Sequence, residues 1–329
     1  MKVLYLNPSG QLGGAERMLL DVLASLRTVE PNWSLHLIAS DEGPLVHSAE
    51  ALGVAASVVR FPPALARIGD AGAGGAAGKQ TGRLALFLRL LWAVPGIMSY
   101  VKKLRRIILE LDVDLVHTNG FKMHLLGVWA TAARVPVIWH IHDYVSPRPL
   151  MAKLLRRYRR RCAVAIANSR SVAEDIEKVC GAGLKVETVY NGIDVEQFSP
   201  TGPTLDLDTL SGFAPAPPET VRVGILATLA RWKGHQTFLH AMSLLPPTLP
   251  IRAYVMSGAL YRTNGSQYSL EELKNLAGKL GLTNRVGFTG FLSEPARAMR
   301  ALDIVVHAST QPEPFGLVIA EGMACGRAV

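Results

Sequence analysis

Glu313 and Glu321 stand eight residues apart in 309-STQPEPFGLVIAEGMACGRAV-329, with no other charge between them. Pro314-Phe315-Gly316 reads as a turn, and 317-LVIAEGMA-324 as the helix that follows. The first amides of a helix have no intrahelical partner and carry the positive end of its dipole, so an anion can sit there. Glu313 then lies in the loop beside that anion. Glu321 lies about one turn into the helix, where a carboxylate can take two hydroxyls of a ribose. The plainer alternative makes Glu313 an exposed loop acid and Glu321 a helix-surface acid.

Two further segments carry the same kind of chemistry. In 9-SGQLGGAER-17 a glycine turn, with Gly13 and Gly14, leads from a strand into a helix. Backbone amides at such a turn can hold an anion, though the spacing is not that of a dinucleotide fingerprint, and a turn made only for packing remains open. In 228-TLARWKGHQ-236, Arg231 and Lys233 are two cations directly after a strand, suited to a diphosphate or else simply solvated. Asp-x-Asp occurs at 112–114 and 206–208, at a strand start and in a Pro/Gly-rich stretch, and neither reads as a metal site. Lys153, Arg156, Arg157 and Arg160 share one helical face within 153-KLLRRYRRR-161, and 102-KKLRR-106 is a second basic cluster. With Leu154, Leu155 and Tyr158 beside it, that face suits an anionic membrane surface. A solvated basic face is the alternative, and no nucleic-acid motif accompanies the charge.

These residues need a scaffold, and the chain supplies a repeating one. Apolar strand candidates at 2–6, 35–40, 113–119, 135–142, 163–169 and 186–191 alternate with helical patterns, the first over 15–27. The pattern resumes at 221–227, 251–258, 285–290 and 303–309, with helices from about 235 and over 270–281. Continuous apolar strands separated by helices predict parallel sheets covered on both faces. The expected organisation is a domain at 1–191, a linker at 192–220 and a second domain at 221–329. A low-complexity insertion is expected at 69–82.

Composition sets the remaining bounds. Apolar residues are 49% and charged residues 19%, which is globular rather than disordered. Lys and Arg outnumber Asp and Glu by 35 to 26, which favours an anionic partner. Three cysteines with no CxxC pair suit a reducing compartment, and 1-MKVLYLNPSG reads as a strand and turn rather than a signal peptide. The run 84–101 carries Arg89 and Pro95, so an amphipathic helix is expected there in preference to a membrane span. The expected location is cytoplasmic, at most peripheral at the inner membrane face.

Taken together the motifs resemble glycosyltransferase family 4, retaining nucleotide-sugar enzymes of the GT-B group. The matching pieces are GQLGGAER at 10–17, VHTNG at 116–120, HIHD at 140–143, IANS at 166–169 and VYNGIDVEQFSP at 189–200. RWKGH at 231–235, VGFTGF at 286–291 and HASTQPEPFGLVIAEGMACGRAV at 307–329 complete the set. The resemblance implies two Rossmann-like doubly wound domains facing across a cleft. It implies that Gly13 and Gly14 lie against the donor diphosphate and the acceptor, and that Lys233, with Arg231, holds the diphosphate. Glu313 would contact the transferred sugar, with His142 near it. Amides at Phe315, Gly316 and Leu317 would meet sugar or phosphate, Glu321 the ribose, and Phe291 and Leu292 would lie by the base. It implies no cofactor and no metal ion. A hexose would pass to a saccharide or lipid-linked acceptor with retention, in cell-envelope or polysaccharide synthesis, by same-face attack.

Two departures from the family pattern stand out. Thr228 occupies the position where the family has Arg five residues before the Lys, and Arg231 is expected to substitute from the next turn. The resemblance also implies further elements after Val329, so the second domain is expected to be truncated. Competing readings are an inactive fragment that binds membrane or a partner, and a sugar-nucleotide epimerase or phosphorylase on the same fold. The epimerase would want different acids and the phosphorylase a lysine-bound cofactor, and neither pattern is evident.

Overall fold

The computed structural model describes residues 1–67, 83–258 and 267–329. The insertion expected at 69–82 lies outside the described residues. The chain divides into two compact units, with the boundary after Gly192.

Unit 1 runs β1 (Lys2–Asn7), α1 (Gly14–Val29), β2 (Ser34–Ala39), α2 (Pro44–Ala51), β3 (Ala55–Val58), α3 (Pro63–Arg67) and α4 (Arg83–Leu111). It continues through β4 (Leu115–Asn119), α5 (Phe121–Ala130), β5 (Val137–Ile141), α6 (Pro149–Tyr158), β6 (Val164–Ala167), α7 (Arg170–Cys180) and β7 (Val186–Thr188). All strands are parallel, in the order β3-β2-β1-β4-β5-β6-β7. The chain winds outward from β1 to β3 and then returns to β4, so the direction of winding reverses between β1 and β4. Ligands of such sheets gather at the carboxyl ends of the strands beside that reversal.

Alternation along β1 explains the two covered faces. Val3 and Tyr5 pack with Leu19, Leu23 and Leu45 of α1 and α2. Leu4 and Leu6 pack with Leu104, Met123 and Leu126 of α4 and α5. On α4 the buried Ala93, Tyr100, Val101, Leu104 and Ile108 form one stripe, which places this helix on the sheet. Among the described residues no helix is long and apolar enough to cross a membrane.

Unit 2 holds α8 (Leu207–Leu210), β8 (Val221–Leu226), α9 (His235–Leu244), β9 (Ile251–Met256), α10 (Leu270–Lys279), β10 (Val286–Phe288), α11 (Pro295–Arg300), β11 (Ile304–Val305) and α12 (Leu317–Ala324). Its strands are parallel in the order β10-β9-β8-β11. Beyond α12, Ala328 forms a parallel bridge to Ile304, and Val305 N donates to Ala328 O at 2.8 Å. Again one strand feeds two cores: Ala253 and Val255 face α9 and α10, while Tyr254 and Met256 face α11.

The stretch expected as a linker is packed on unit 2 from Ile193 onward. Phe198 and Leu207 are buried with Tyr254, Met299 and Leu302. Asp208, 4% exposed, accepts from Arg252 Nη1 at 2.6 Å, Tyr254 Oη at 2.6 Å and Ala216 N at 2.9 Å, and pairs with Arg222 at 3.3 Å. Burial pushes its carboxyl pKa up, but the hydrogen bonds from Tyr254 and Arg252 outweigh that and hold it well below the ordinary carboxylate value.

Candidate functional site

Lys233 and Glu313 meet at the carboxyl ends of β8 and β11. Lys233 Nζ donates to both carboxylate oxygens of Glu313, at 2.9 and 2.8 Å. Gly234 makes this approach possible. Its φ is +78°, and a Cβ there would fall 1.7 Å from the carbonyl oxygen of Ala308, so only glycine fits. The two loops are then stitched together, since Thr310 N donates to Trp232 O at 2.8 Å and Thr310 Oγ1 to the same oxygen at 3.1 Å. Lys233 also lies over the Trp232 ring, 4.1 Å from its centroid.

Glu313 also meets His307 and Ser309. His307 Nε2 and Ser309 Oγ lie 3.0 and 2.9 Å from its Oε2. Burial alone would raise the Glu313 pKa. The charge of Lys233 and the hydrogen bonds from Lys233, His307 and Ser309 prevail and lower it. Glu313 is therefore an anchored carboxylate with a fixed orientation. His307 and Ser309 sit inside the motif at 307–329, yet nothing in their spacing announces bonds to a residue six and four positions on.

The remaining unit 2 candidates lie on other loops and on α12. Gly316, φ +84°, is the N-cap of α12 and offers no side-chain cap, so the first amides of α12 are not satisfied by a capping side chain. Phe315 and Leu317 flank it, and Glu321 lies four residues past Leu317 on the same helix. Phe291 is 58% exposed and packs over Gly258, where a Cβ would come 2.6 Å from its own Cβ. Leu292 is half-buried against the Tyr254 and Met299 core. Arg231 is engaged elsewhere: Nη2 donates to Glu272 Oε1 at 3.1 Å, and its guanidinium stacks 4.3 Å from the Tyr268 ring centroid. Behind Lys233, buried His235 bonds Ser257 Oγ at 2.8 Å, and burial with the nearby charge of Lys233 lowers its pKa to about 4.

In unit 1 the candidates sit at strand ends. Gly13 caps α1, and its N–H donates to Glu16 Oε2 at 3.0 Å. Buried Glu16 therefore takes one of the amides that the glycine turn offers. The signal was present in the sequence as a capping pattern, an acid three residues after the cap. Gly14, the first residue of α1, is exposed. His142 follows β5, its Nε2 buried without a hydrogen-bond partner among the described residues. It stacks on His140, centroids 4.1 Å apart, and His140 Nδ1 is 3.3 Å from His117 Nε2. Burial, with the charges of His140, His124 and His117, drives the His142 pKa well down, so the ring is neutral.

The other predicted groups lie elsewhere. Lys153, Arg156 and Arg157 on α6 and Arg160 just after it are all exposed. Among the described residues none of these four is in an ion pair. Of the Asp-x-Asp acids, Asp206 caps α8 and Asp208 is the buried anchor already noted. Among the described residues no three His, Cys, Asp or Glu side chains gather so as to hold a metal ion.

The profile of Glycosyltransferase Family 4 matches residues 12–197, and that of Glycosyl transferases group 1 matches residues 211–329. The chain belongs to this glycosyltransferase family. Among its curated relatives, a D-inositol 3-phosphate glycosyltransferase of Xylanimonas cellulosilytica is 28% identical over 226 residues, covering 66% of this chain and 49% of the relative. The lipopolysaccharide core biosynthesis mannosyltransferase LpsB of Rhizobium meliloti is 32% identical over 139 residues, covering 42% of this chain and 38% of the relative. The chain spans about half the length, or less, of the curated relatives it matches. Among solved structures, Anabaena HepE in complex with UDP-glucose aligns with TM-score 0.73 and 28% identity, covering 99% of this chain and 79% of that one. HepE has also been solved with UDP, at TM-score 0.72. Both units are α/β with parallel sheets, of the GT-B kind.

Proposed function

We propose that the chain transfers a hexose from a nucleotide diphosphate sugar to a hydroxyl of a saccharide or lipid-linked acceptor, retaining the anomeric configuration, in cell-envelope or polysaccharide synthesis. The observation that carries the reading is the Lys233–Glu313 pair beside the start of α12, which has a glycine N-cap and no side-chain cap, with Glu321 one turn further on. A diphosphate leaving group gathers negative charge as its bond to the sugar breaks. Lys233 and the amides at Phe315, Gly316 and Leu317 supply fixed positive charge for it, and Arg231 could join them only by leaving Glu272. Glu313, held by His307 and Ser309, receives hydroxyls of the transferred sugar, and Glu321 receives those of the ribose. Phe291 and Leu292 give the base an apolar neighbour. Gly13, Gly14 and neutral His142 serve the transferred sugar and acceptor from unit 1. HepE binds UDP and UDP-glucose, which makes uridine donors the first to test.

The bond between the sugar carbon and the β-phosphate oxygen breaks with its electrons leaving on the diphosphate. The acceptor oxygen attacks that carbon from the same face, and its proton passes to the departing phosphate oxygen. No metal ion and no resident cofactor enters the proposal. The exposed basic face of α6 would hold the protein against an anionic membrane at its cytoplasmic side, where lipid-linked acceptors are found.

Retention has a direct readout. Hydrolysis of UDP-glucose by the chain, followed by proton NMR, should release α-glucose first. Release of β-glucose first would contradict same-face attack.

A further inference from the structure

The opposite end of the unit 1 sheet holds a cavity of about 680 Å³ that no part of the transfer reading uses. It lies at the amino ends of β4, β5 and β6, away from the carboxyl ends where Gly13, Gly14 and His142 sit. Its apolar floor includes Ile108, Val113 and Ala130, all buried. Three arginines line it from three separate segments: Arg105 of α4, Arg134 of the turn before β5, and Arg161 just before β6. Arg105 and Arg161 come from the two basic clusters visible in the sequence, which the fold brings to one hollow.

Helix capping accounts for part of this arrangement. Arg105 donates to Trp129 O at 2.8 Å and Ala130 O at 3.3 Å, and Arg161 to Thr131 O at 2.8 Å, which satisfies the carbonyl end of α5. Each guanidinium carries five N–H donors, so these bonds orient the two groups while leaving most of their donors over. Capping does not call for Arg134. Among the described residues none of the three is in an ion pair. Asp112 and Asp114 line the same cavity, Asp114 already accepting Lys2 N at 2.8 Å. The hollow is thus cationic overall with a carboxylate side.

We infer that this cavity binds a phosphate ester that also carries a hydroxyl or amine. The phosphate oxygens would take the arginine forks, which suit that geometry, and the donor group would face Asp112 and Asp114. A volume of this size holds a small phosphorylated polyol or a phospholipid headgroup. The inference does not rest on the transfer reading, since it shares no residue with it.

The test is calorimetric titration of the full chain with O-phosphoethanolamine and glycerol 3-phosphate. Sedimentation with phosphatidylcholine vesicles, plain or doped with phosphatidylethanolamine and phosphatidylglycerol, runs beside it. The variants are Arg134→Gln and Arg134→Lys, the second keeping the charge but losing the fork. Saturable binding of the free esters, weakened at least fivefold in both variants, is the expected result for a soluble ligand. Binding to doped vesicles alone, with the same loss in both variants, identifies a lipid headgroup as the source. Binding that Arg134→Lys weakens less than fivefold is mere surface charge and overturns the inference, as does the absence of saturable binding to either probe.

Discussion

At Gly234 a missing side chain lets two loops touch, and the loops carry Lys233 and Glu313. Replacing it with Ala asks an L-residue to hold a left-handed backbone and drives a methyl group into the Ala308 carbonyl. The backbone term alone is about 1–3 kcal/mol, and relief of the clash must separate the loops. Gly234→Ala is therefore expected to weaken nucleotide binding at least tenfold while unit 1 stays folded. Unchanged affinity would show that the loop contact does not build the site. At this scale the loop positions of Lys233 and Glu313 were legible because each stands beside a turn signal: Gly234 for Lys233, Pro314 and Gly316 for Glu313. The partners of Glu313 were not. A bond from His307 or Ser309 depends on how the loop folds back, and no spacing rule specifies that.

At the scale of elements, the buried histidines of β4, α5 and β5 make a pH prediction. Burial lowers the pKa of His124 to about 3 and of His140 to about 4, and drives those of His117 and His142 well down. An unfolded histidine has its pKa near 6.5. Above that value both states are neutral and the groups are indifferent. As pH falls below it the unfolded chain takes up protons that the folded unit refuses, so stability is lost. Each such histidine contributes a slope approaching about 1.4 kcal/mol per pH unit. Asp208, with its lowered pKa, stays ionised and keeps its contribution over the same range, losing it only at more acid pH. Guanidinium midpoints should therefore fall steeply from pH 7 to pH 5, and midpoints that stay level would refute the account of the cluster. The element pattern itself was largely legible. Short apolar or β-branched runs alternating with helical patterns announced ten of the described strands, and the turn at 314–316 placed α12 at its observed residues. β3 was not legible, because Ala-Ala-Ser-Val has no apolar run and its residues are only half-buried or exposed. The packing of 193–220 on unit 2 was hidden as well. Its Pro- and Gly-rich composition reads as a linker, while its anchor, Asp208, finds Arg252 and Tyr254 44 and 46 residues away.

At the scale of the molecule, the family fixes a fold and the charge suggests a place. Changing Lys153, Arg156, Arg157 and Arg160 together to Glu should abolish sedimentation with anionic vesicles, each basic residue near such a surface being worth about 1 kcal/mol. Binding that persists would move the membrane face elsewhere. Unit 2 is proposed to carry a nucleotide diphosphate site built on Lys233, Glu313 and Glu321. The most direct measurement is calorimetric titration of this 329-residue chain with UDP, GDP and ADP, repeated on Glu321→Ala. The account predicts saturable binding of one of the three, weakened by about 1–3 kcal/mol when the ribose carboxylate is removed. A folded chain that binds none of them, or one whose affinity Glu321→Ala leaves unchanged, would contradict it.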